Sequence, residues 1–274
     1  MIEVMRDTSC TLTRQPLPRD GRGWRALWAL GTAALAACSA GNGGEGAGNS
    51  ASTAGSPATA GDSAGAVALF DGNGLARWRG YKRDNVPAAW QARGDTLVFT
   101  PVADSASRGD LVSREQFGDF ELDYEWRVAP GANSGVMWRV SEDQDFPWQT
   151  GPEQQVLDDA RHTDGKIPSH RAGALYDLVV PPSGVARPVG QFNDARVIAR
   201  GGRVQLYLNG RPTADVDFAS DSGRALVARS KFGEFPRFAQ NARGHIVLQD
   251  HGDTVYFRNV RIRPIAAGDS VGGG

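Results

Sequence analysis

Cysteine is almost absent from this chain. Of its 274 residues only two are cysteines, Cys10 and Cys38. Both precede the aromatic-rich part of the sequence, which excludes a disulfide framework or a CxxC zinc site in the body. An excess of one charge is missing as well. The 30 Lys and Arg balance 31 Asp and Glu to a formal net charge of −1, giving no field for gripping a phosphate backbone, so nucleic acid is not an expected partner. No apolar run reaches the roughly 20 residues of a membrane-spanning helix. Also lacking are a Gly-Lys-Ser phosphate loop, a Rossmann fingerprint, a G-x-S-x-G elbow and an H-E-x-x-H pair, which removes the usual NTPase, dehydrogenase, serine hydrolase and zincin signatures. Glycine is abundant, at 35 residues, but follows no G-x-y period. A collagen helix is therefore excluded, and the surplus belongs to turns or a linker.

What is present begins with a targeting pattern. Arg14, Arg19, Arg22 and Arg25 lead into an apolar run from Trp24 to Ala37, a charged region followed by about a dozen apolar residues, as in a secretory leader. Leu35-Ala36-Ala37-Cys38 resembles the bacterial lipobox, in which the cysteine is lipidated and becomes the first mature residue. The alternative is an ordinary leader with an incidental cysteine. Ser39 stands where a retention signal would place aspartate, so the resemblance implies a lipid anchor on the periplasmic face of the outer membrane, the only membrane contact expected. Residues 38–65 carry eight of the glycines and no large apolar side chain. Such a stretch cannot bury enough surface to order itself and reads as a tether reaching roughly 30 Å. The expected division is 1–37 leader, 38–65 tether, 66–266 globular domain and 267–274 tail.

The globular part has period two. Phe120, Leu122, Tyr124, Trp126 and Val128 alternate with Glu121, Asp123, Glu125 and Arg127, as a half-buried antiparallel strand requires. Similar stretches are expected at 97–100, 135–140, 154–157, 174–180, 195–199, 204–208, 214–218, 245–249 and 254–262. Asn209-Gly210 marks a hairpin, because both residues tolerate positive φ. No stretch sustains helical periodicity beyond two turns, and no repeat of fixed period appears. About ten short strands predict an all-β protein, a two-sheet antiparallel jelly-roll sandwich.

Three segments interrupt the alternation and are places for chemistry. In Asn133-Ser134-Gly135-Val136-Met137-Trp138-Arg139, the alternation puts Met137 and Arg139 on one face and Val136, Trp138 and Val140 on the other. Arg139 then offers either a fixed guanidinium fork or a structural salt bridge. In Glu153-Gln154-Gln155-Val156-Leu157-Asp158, Glu153 and Gln155 share a face. They read as a polyol-binding pair with a glutamate able to act as base, or as an exposed strand face with a solvated acidic loop. His162 and Lys166 follow in a polar loop. In Gln249-Asp250-His251-Gly252-Asp253, the acids and histidine could be metal ligands, but the spacing matches no zinc or EF-hand template and reads more simply as a hairpin turn. Arg258 and Asn259 interrupt the last strand as a bulge would.

Taken in order, these motifs resemble a known family. They are Leu69-Phe70-Asp71-Gly72-Asn73-Gly74-Leu75 with Trp78, Gly118-Asp119-Phe120-Glu121-Leu122, Asn133-Ser134-Gly135-Val136 with Arg139, and Gly151-Pro152-Glu153-Gln154-Gln155-Val156-Leu157-Asp158. Gly173-Ala174-Leu175-Tyr176, Leu208-Asn209-Gly210, Gly244-His245-Ile246-Val247-Leu248-Gln249-Asp250-His251-Gly252 and Phe257-Arg258-Asn259-Val260 complete the set. The sequence is similar over 67–265 to the bacterial 3-keto-disaccharide hydrolases, also described as 3-keto-glucoside 1,2-lyase and 3-keto-2-hydroxyglucal hydratase domains. It departs at Gly190-Gln191-Phe192-Asn193, where the family has Gly-x-Trp-Asn.

The resemblance implies a concanavalin-like sandwich and an enzyme acting on a small carbohydrate. A ketone at C3 acidifies the C2 hydrogen, a base removes it, the aglycone leaves C1, and hydration then releases 3-keto-glucose. This chemistry needs no nucleotide cofactor, and a divalent cation could serve as the electrophile although no convincing ligand set is visible. On that basis Glu153, or second Asp158, is the expected base, Arg139 the enolate or hydroxyl anchor, and His162 or Tyr176 the acid. Asn133, Gln155, Lys166, Gln249 and His251 are the expected substrate-binding residues. The competing reading is a non-catalytic, lectin-like carbohydrate-binding module. The oligomeric state is left open.

Overall fold

The computed structural model describes residues 65–266. The leader, Cys10, the lipidation candidate Cys38, all but the last residue of the tether, and the tail lie outside the described residues. Among the described residues thirteen strands form two antiparallel sheets. In chain order they are β1 Val67–Phe70, β2 Trp78–Gly80, β3 Trp90–Arg93, β4 Thr96–Phe99, β5 Leu111–Phe117, β6 Phe120–Val128, β7 Asn133–Val140, β8 Glu153–Leu157, β9 Asn193–Arg200, β10 Arg203–Leu208, β11 Arg211–Asp217, β12 Gly244–Leu248 and β13 Val255–Pro264. One sheet has eight strands, ordered β11-β10-β9-β6-β13-β4-β3 with β1 also on β13. The other has five, ordered β2-β5-β12-β7-β8. This is the all-β sandwich expected from the alternation.

The two sheets bury their apolar faces against each other. Trp126, Phe257 and Leu206 of the eight-stranded sheet meet Val136, Trp138, Val156, Ile246 and Leu248 of the five-stranded one. Side chains of this size each favour the folded state by roughly 1.5–3 kcal/mol when fully buried. Gln154 is a polar residue turned into this core, and both ends of its carboxamide are bonded: its Oε1 accepts from Tyr124 Oη at 2.7 Å, and its Nε2 donates to the Tyr207 carbonyl at 3.1 Å. With Gln154 turned inward, Glu153 and Gln155 necessarily turn outward. Asn209 and Gly210, at φ 51° and 75°, close the β10–β11 hairpin as their side chains allow.

Several expectations are corrected. Residues 174–180 form isolated bridges rather than a strand, Leu175 pairing with Gln154 and Val179. β1, β2 and β3 are too short to show a period, and β5 mixes Ser113, Arg114, Glu115 and Gln116 into its run, so none of the four stands out in the sequence. A nine-residue helix, α1 (Asp221–Arg229), is capped by the Ser220 hydroxyl, which accepts from the Gly223 N–H. It is too short for a clear helical pattern. The face assignment around Arg139 also changes. Arg139 sits at φ 51°, which breaks the alternation there. Val140 consequently packs with Met137, Val112 and Val247 in a second apolar cluster on the outer face of the five-stranded sheet.

Candidate active site

The site is built on that outer face. β7 and β8 pair in a register that sets Met137 opposite Glu153 and Gly135 opposite Gln155. Beyond β8 the chain returns as residues 173–176, where the Tyr176 N–H donates to the Glu153 carbonyl at 3.0 Å and the Gln155 N–H donates to the Ala174 carbonyl at 3.1 Å. Met137, Glu153 and Tyr176 therefore lie in one row across three chain segments. The 174–180 segment, which is not the strand its pattern predicts, is thus the one that carries Tyr176 to the candidate base.

Glycine is required at position 135 for space. A Cβ there would stand 1.7 Å from Glu153 Oε1, so the bare backbone of β7 is the floor on which the carboxyl rests. Glu153 is only 6% exposed. Burial pushes it up to about 8, opposed by the positive charge of Lys231 and His251 and reinforced by the carboxylates of Asp110 and Asp164. Beside it, both polar atoms of the Gln155 carboxamide and the Oδ1 of Asn133 are buried without a hydrogen-bond partner. An unmade bond of this kind costs roughly 1–3 kcal/mol, which a hydroxyl-rich ligand would recover.

Loops complete the surround. Asp110, just before β5, accepts from the Asp250 N–H at 2.9 Å, and burial pushes its carboxyl up to about 7. His251 and Asp253 lie on the β12–β13 turn. Asp253 raises the imidazole of His251, with the charge of Glu153 adding to the effect. His162 meets His251 edge to face at a centroid distance of 5.8 Å. Tyr176 packs on His170 with ring centres 4.4 Å apart and planes tilted by 30°, and its hydroxyl is raised by burial and by Asp164 and Glu153. Lys231, in the turn after α1, holds its ammonium 4.3 Å from the Tyr176 ring centre and 5.8 Å from that of Trp148.

Of the residues expected from sequence, Glu153, Gln155, Asn133, Tyr176, His162 and His251 converge here. Arg139 does not. Its guanidinium donates to the Gly118 carbonyl at 3.0 Å, the Gly201 carbonyl at 2.6 Å and Asp119 Oδ1 at 2.8 Å, so it joins the two sheets and cannot serve as the enolate anchor. Asp158 is not a base either. Its Oδ2 accepts from the Gly131 N–H at 2.6 Å and its Oδ1 from the Ala160 N–H at 3.1 Å, the work of a turn former. Lys166 is exposed at the end of a short 3-10 turn. Gln249 contributes its backbone, which pairs with Gly135 and accepts from the Ser134 hydroxyl. Phe192 and Asn193 are structural: Phe192 lies between the guanidiniums of Arg127, 4.8 Å away, and Arg258, 4.0 Å away, while Asn193 Oδ1 accepts from Arg187 and Asn209. Sequence reasoning missed Asp110, His170 and Lys231. Asp110 is attached to the unrecognised β5 and Lys231 to the unrecognised α1; His170 gave no signal.

Comparison with known proteins matches the sequence to one family. Residues 65–263 match the model of the 3-keto-alpha-glucoside-1,2-lyase-like domain. A 3-keto-disaccharide hydrolase of Bacteroides thetaiotaomicron is 31% identical over 229 residues, covering 74% of this chain and 79% of that protein. The chain belongs to the 3-keto-alpha-glucoside-1,2-lyase-like family. Among solved structures, a Parabacteroides distasonis protein described as a glycosyl hydrolase superposes with a TM-score of 0.67 at 26% identity, covering 74% of this chain and 95% of that one. A second protein from the same organism, 23% identical with a TM-score of 0.52, shares the fold. In this chain the motifs that carry the resemblance divide into those that build the sandwich, such as Arg139 and Asn193, and those that line the face around Glu153.

Proposed function

We propose that this chain cleaves 3-keto-glucosides by removing the C2 proton with Glu153 and expelling the aglycone from C1. The observation that carries the reading is the Glu153 carboxyl, buried over Gly135 and pushed up to about 8, a base tuned to accept a proton near neutral pH. The name of the Bacteroides relative and that of the family support the same substrate class. The carboxylate takes the C2 hydrogen, the released electron pair forms the C1–C2 double bond, and the C1–O bond breaks. The Tyr176 hydroxyl, kept protonated by its burial, donates to the departing oxygen. His251 supplies positive charge toward the enolate oxygen, and Asn133 and Gln155 bind sugar hydroxyls. Addition of water across the resulting double bond gives 3-keto-glucose, so the two steps sum to hydrolysis.

The test compares the full chain with its Glu153→Gln variant on 3-keto-trehalose or an aryl 3-keto-glucoside, following aglycone release. Release is expected to fall by about 10²–10⁴-fold, the usual contribution of a positioned base. A folded Glu153→Gln protein that turns over at the parent rate removes Glu153 from the mechanism. Saturable binding by the parent without release assigns the chain instead to the lectin-like binding modules.

A further inference from the structure

We infer that His162, His251 and Asp253 form a site for a divalent first-row transition ion beside Glu153. Each offers one ligand atom, and the three atoms lie within 4.8 Å of one another. Nitrogen and oxygen ligands about 2.1 Å from one ion stand roughly 3.4–4.2 Å apart, so a movement of about an ångström closes the set. His251 can make that movement, being 45% exposed on a turn that bends at Gly252, φ 98°.

The 249–253 segment has the spacing of a simple hairpin turn, yet only part of it is used as one. Asp250 is consumed: it takes a bidentate pair from Arg108, at 2.6 and 3.1 Å, and a bond from the Gly109 N–H at 2.8 Å. His251 and Asp253 are left facing His162, which comes from a loop almost ninety residues earlier in the chain, a separation that no spacing template captures. His162 accepts the Asp164 N–H on Nδ1 at 3.1 Å, which holds the ring in place. Asp253 is oriented by the Asn133 N–H at 3.1 Å, the kind of outer support that fixes metal ligands.

A second observation points to a ligand independently. Asn133, the residue that holds Asp253, is 2% exposed, and its own Oδ1 has no partner. A buried neutral oxygen left bare on the residue that orients Asp253 marks this end of the strand for a ligand. Two imidazoles and a carboxylate select Zn²⁺, Co²⁺ or Mn²⁺ over Ca²⁺ or Mg²⁺, and three protein ligands leave coordination positions open. The placement beside Glu153 deepens the elimination reading and rests on it for the ion's role: polarising the 3-keto oxygen as the C2 proton leaves, in place of a protonated His251, whose imidazole binds metal in its neutral form.

The full chain, stripped with a chelator, is titrated calorimetrically with Zn²⁺ and followed by the visible bands of Co²⁺. One ion per chain is expected. His251→Ala and Asp253→Ala should each weaken binding by more than about 10- to 100-fold, the loss that even an outer partner causes. His170→Ala, whose imidazole already faces Asp177 at 3.0 Å, should keep the parent affinity. Thermal midpoints of the metal-free variants, equal to the parent's, show that folding is intact. Absence of one-to-one uptake, or parent affinity in both ligand variants, overturns the site. Uptake that follows the variants in a chain that releases no aglycone leaves the site standing and overturns the elimination reading instead.

Discussion

The outer faces of the two sheets are made from the same residue types and put them to opposite uses. On the eight-stranded sheet every acid along β6 has a cation: Glu121 meets Arg196 and Arg263, Asp123 meets Arg196 at 2.6 Å, and Glu125 meets Arg258 at 2.7 Å. On the five-stranded sheet Glu153 has only the more distant charges of Lys231 and His251 to offset its burial, and Gln155 and Asn133 have no hydrogen bonds for their buried polar atoms. A paired carboxylate has its proton affinity and its hydrogen bonds already committed. An unpaired, desolvated one keeps both for a ligand, at a cost in stability that the rest of the sandwich offsets.

The sharpest way to break this comparison is to disturb the floor under Glu153 without touching its chemistry. Gly135→Ala puts a methyl 1.7 Å from the present position of Oε1, so the carboxyl has to leave its place. Misplacing a reacting group by an ångström costs about 100-fold, so kcat/KM on a 3-keto-glucoside should fall at least that far while far-UV circular dichroism stays that of the parent. Activity within a factor of about three of the parent's would mean that the carboxyl position does not matter, and that the bare floor is only a packing accident.

The fold is legible in the sequence because period-two alternation is enforced wherever one face of a strand is buried. β6 shows it over nine residues, and Asn209-Gly210 shows the turn chemistry beside it. The same alternation is enough to put Glu153 and Gln155 on a common face. It fails at Arg139, because a single residue at positive φ flips the pattern and nothing in the sequence marks that flip. It cannot find Lys231 or Asp110, since both reach the site from elements whose own patterns are short or mixed. Nor can it join His162 to His251, a pairing that depends on how two loops fold over one sheet.

A milder probe is pH. Glu153 must be ionised to accept a proton, and burial holds it up to about 8, so kcat/KM should rise about tenfold per pH unit below that value and level off above it. The stability consequence has the opposite sign. An acid whose folded-state value is raised favours the folded state while protonated, and this advantage is lost as pH climbs from the ordinary carboxylate range through about 8. Glu153→Gln should therefore match the parent near pH 4 in thermal melts and exceed it near pH 9, by up to a few kcal/mol. A variant less stable than the parent at pH 9 would show that the carboxylate is paired after all, and the two faces would no longer differ in kind.

The smallest expected effect lies on the other face. Arg258 closes on Glu125 at 2.7 Å and covers the Phe192 ring at 4.0 Å, both partly open to water. Arg258→Met keeps the stem and removes the charge, which should cost about 1 kcal/mol and lower the melting midpoint by roughly 2–4 °C. Because every group Arg258 touches is committed to the eight-stranded sheet, kcat/KM should stay within about twofold of the parent. A loss of activity comparable to that of Gly135→Ala would mean that the charges of the eight-stranded face reach through the core to Glu153. The desolvation of that carboxyl would then be a property of the whole sandwich rather than of the face on which it stands.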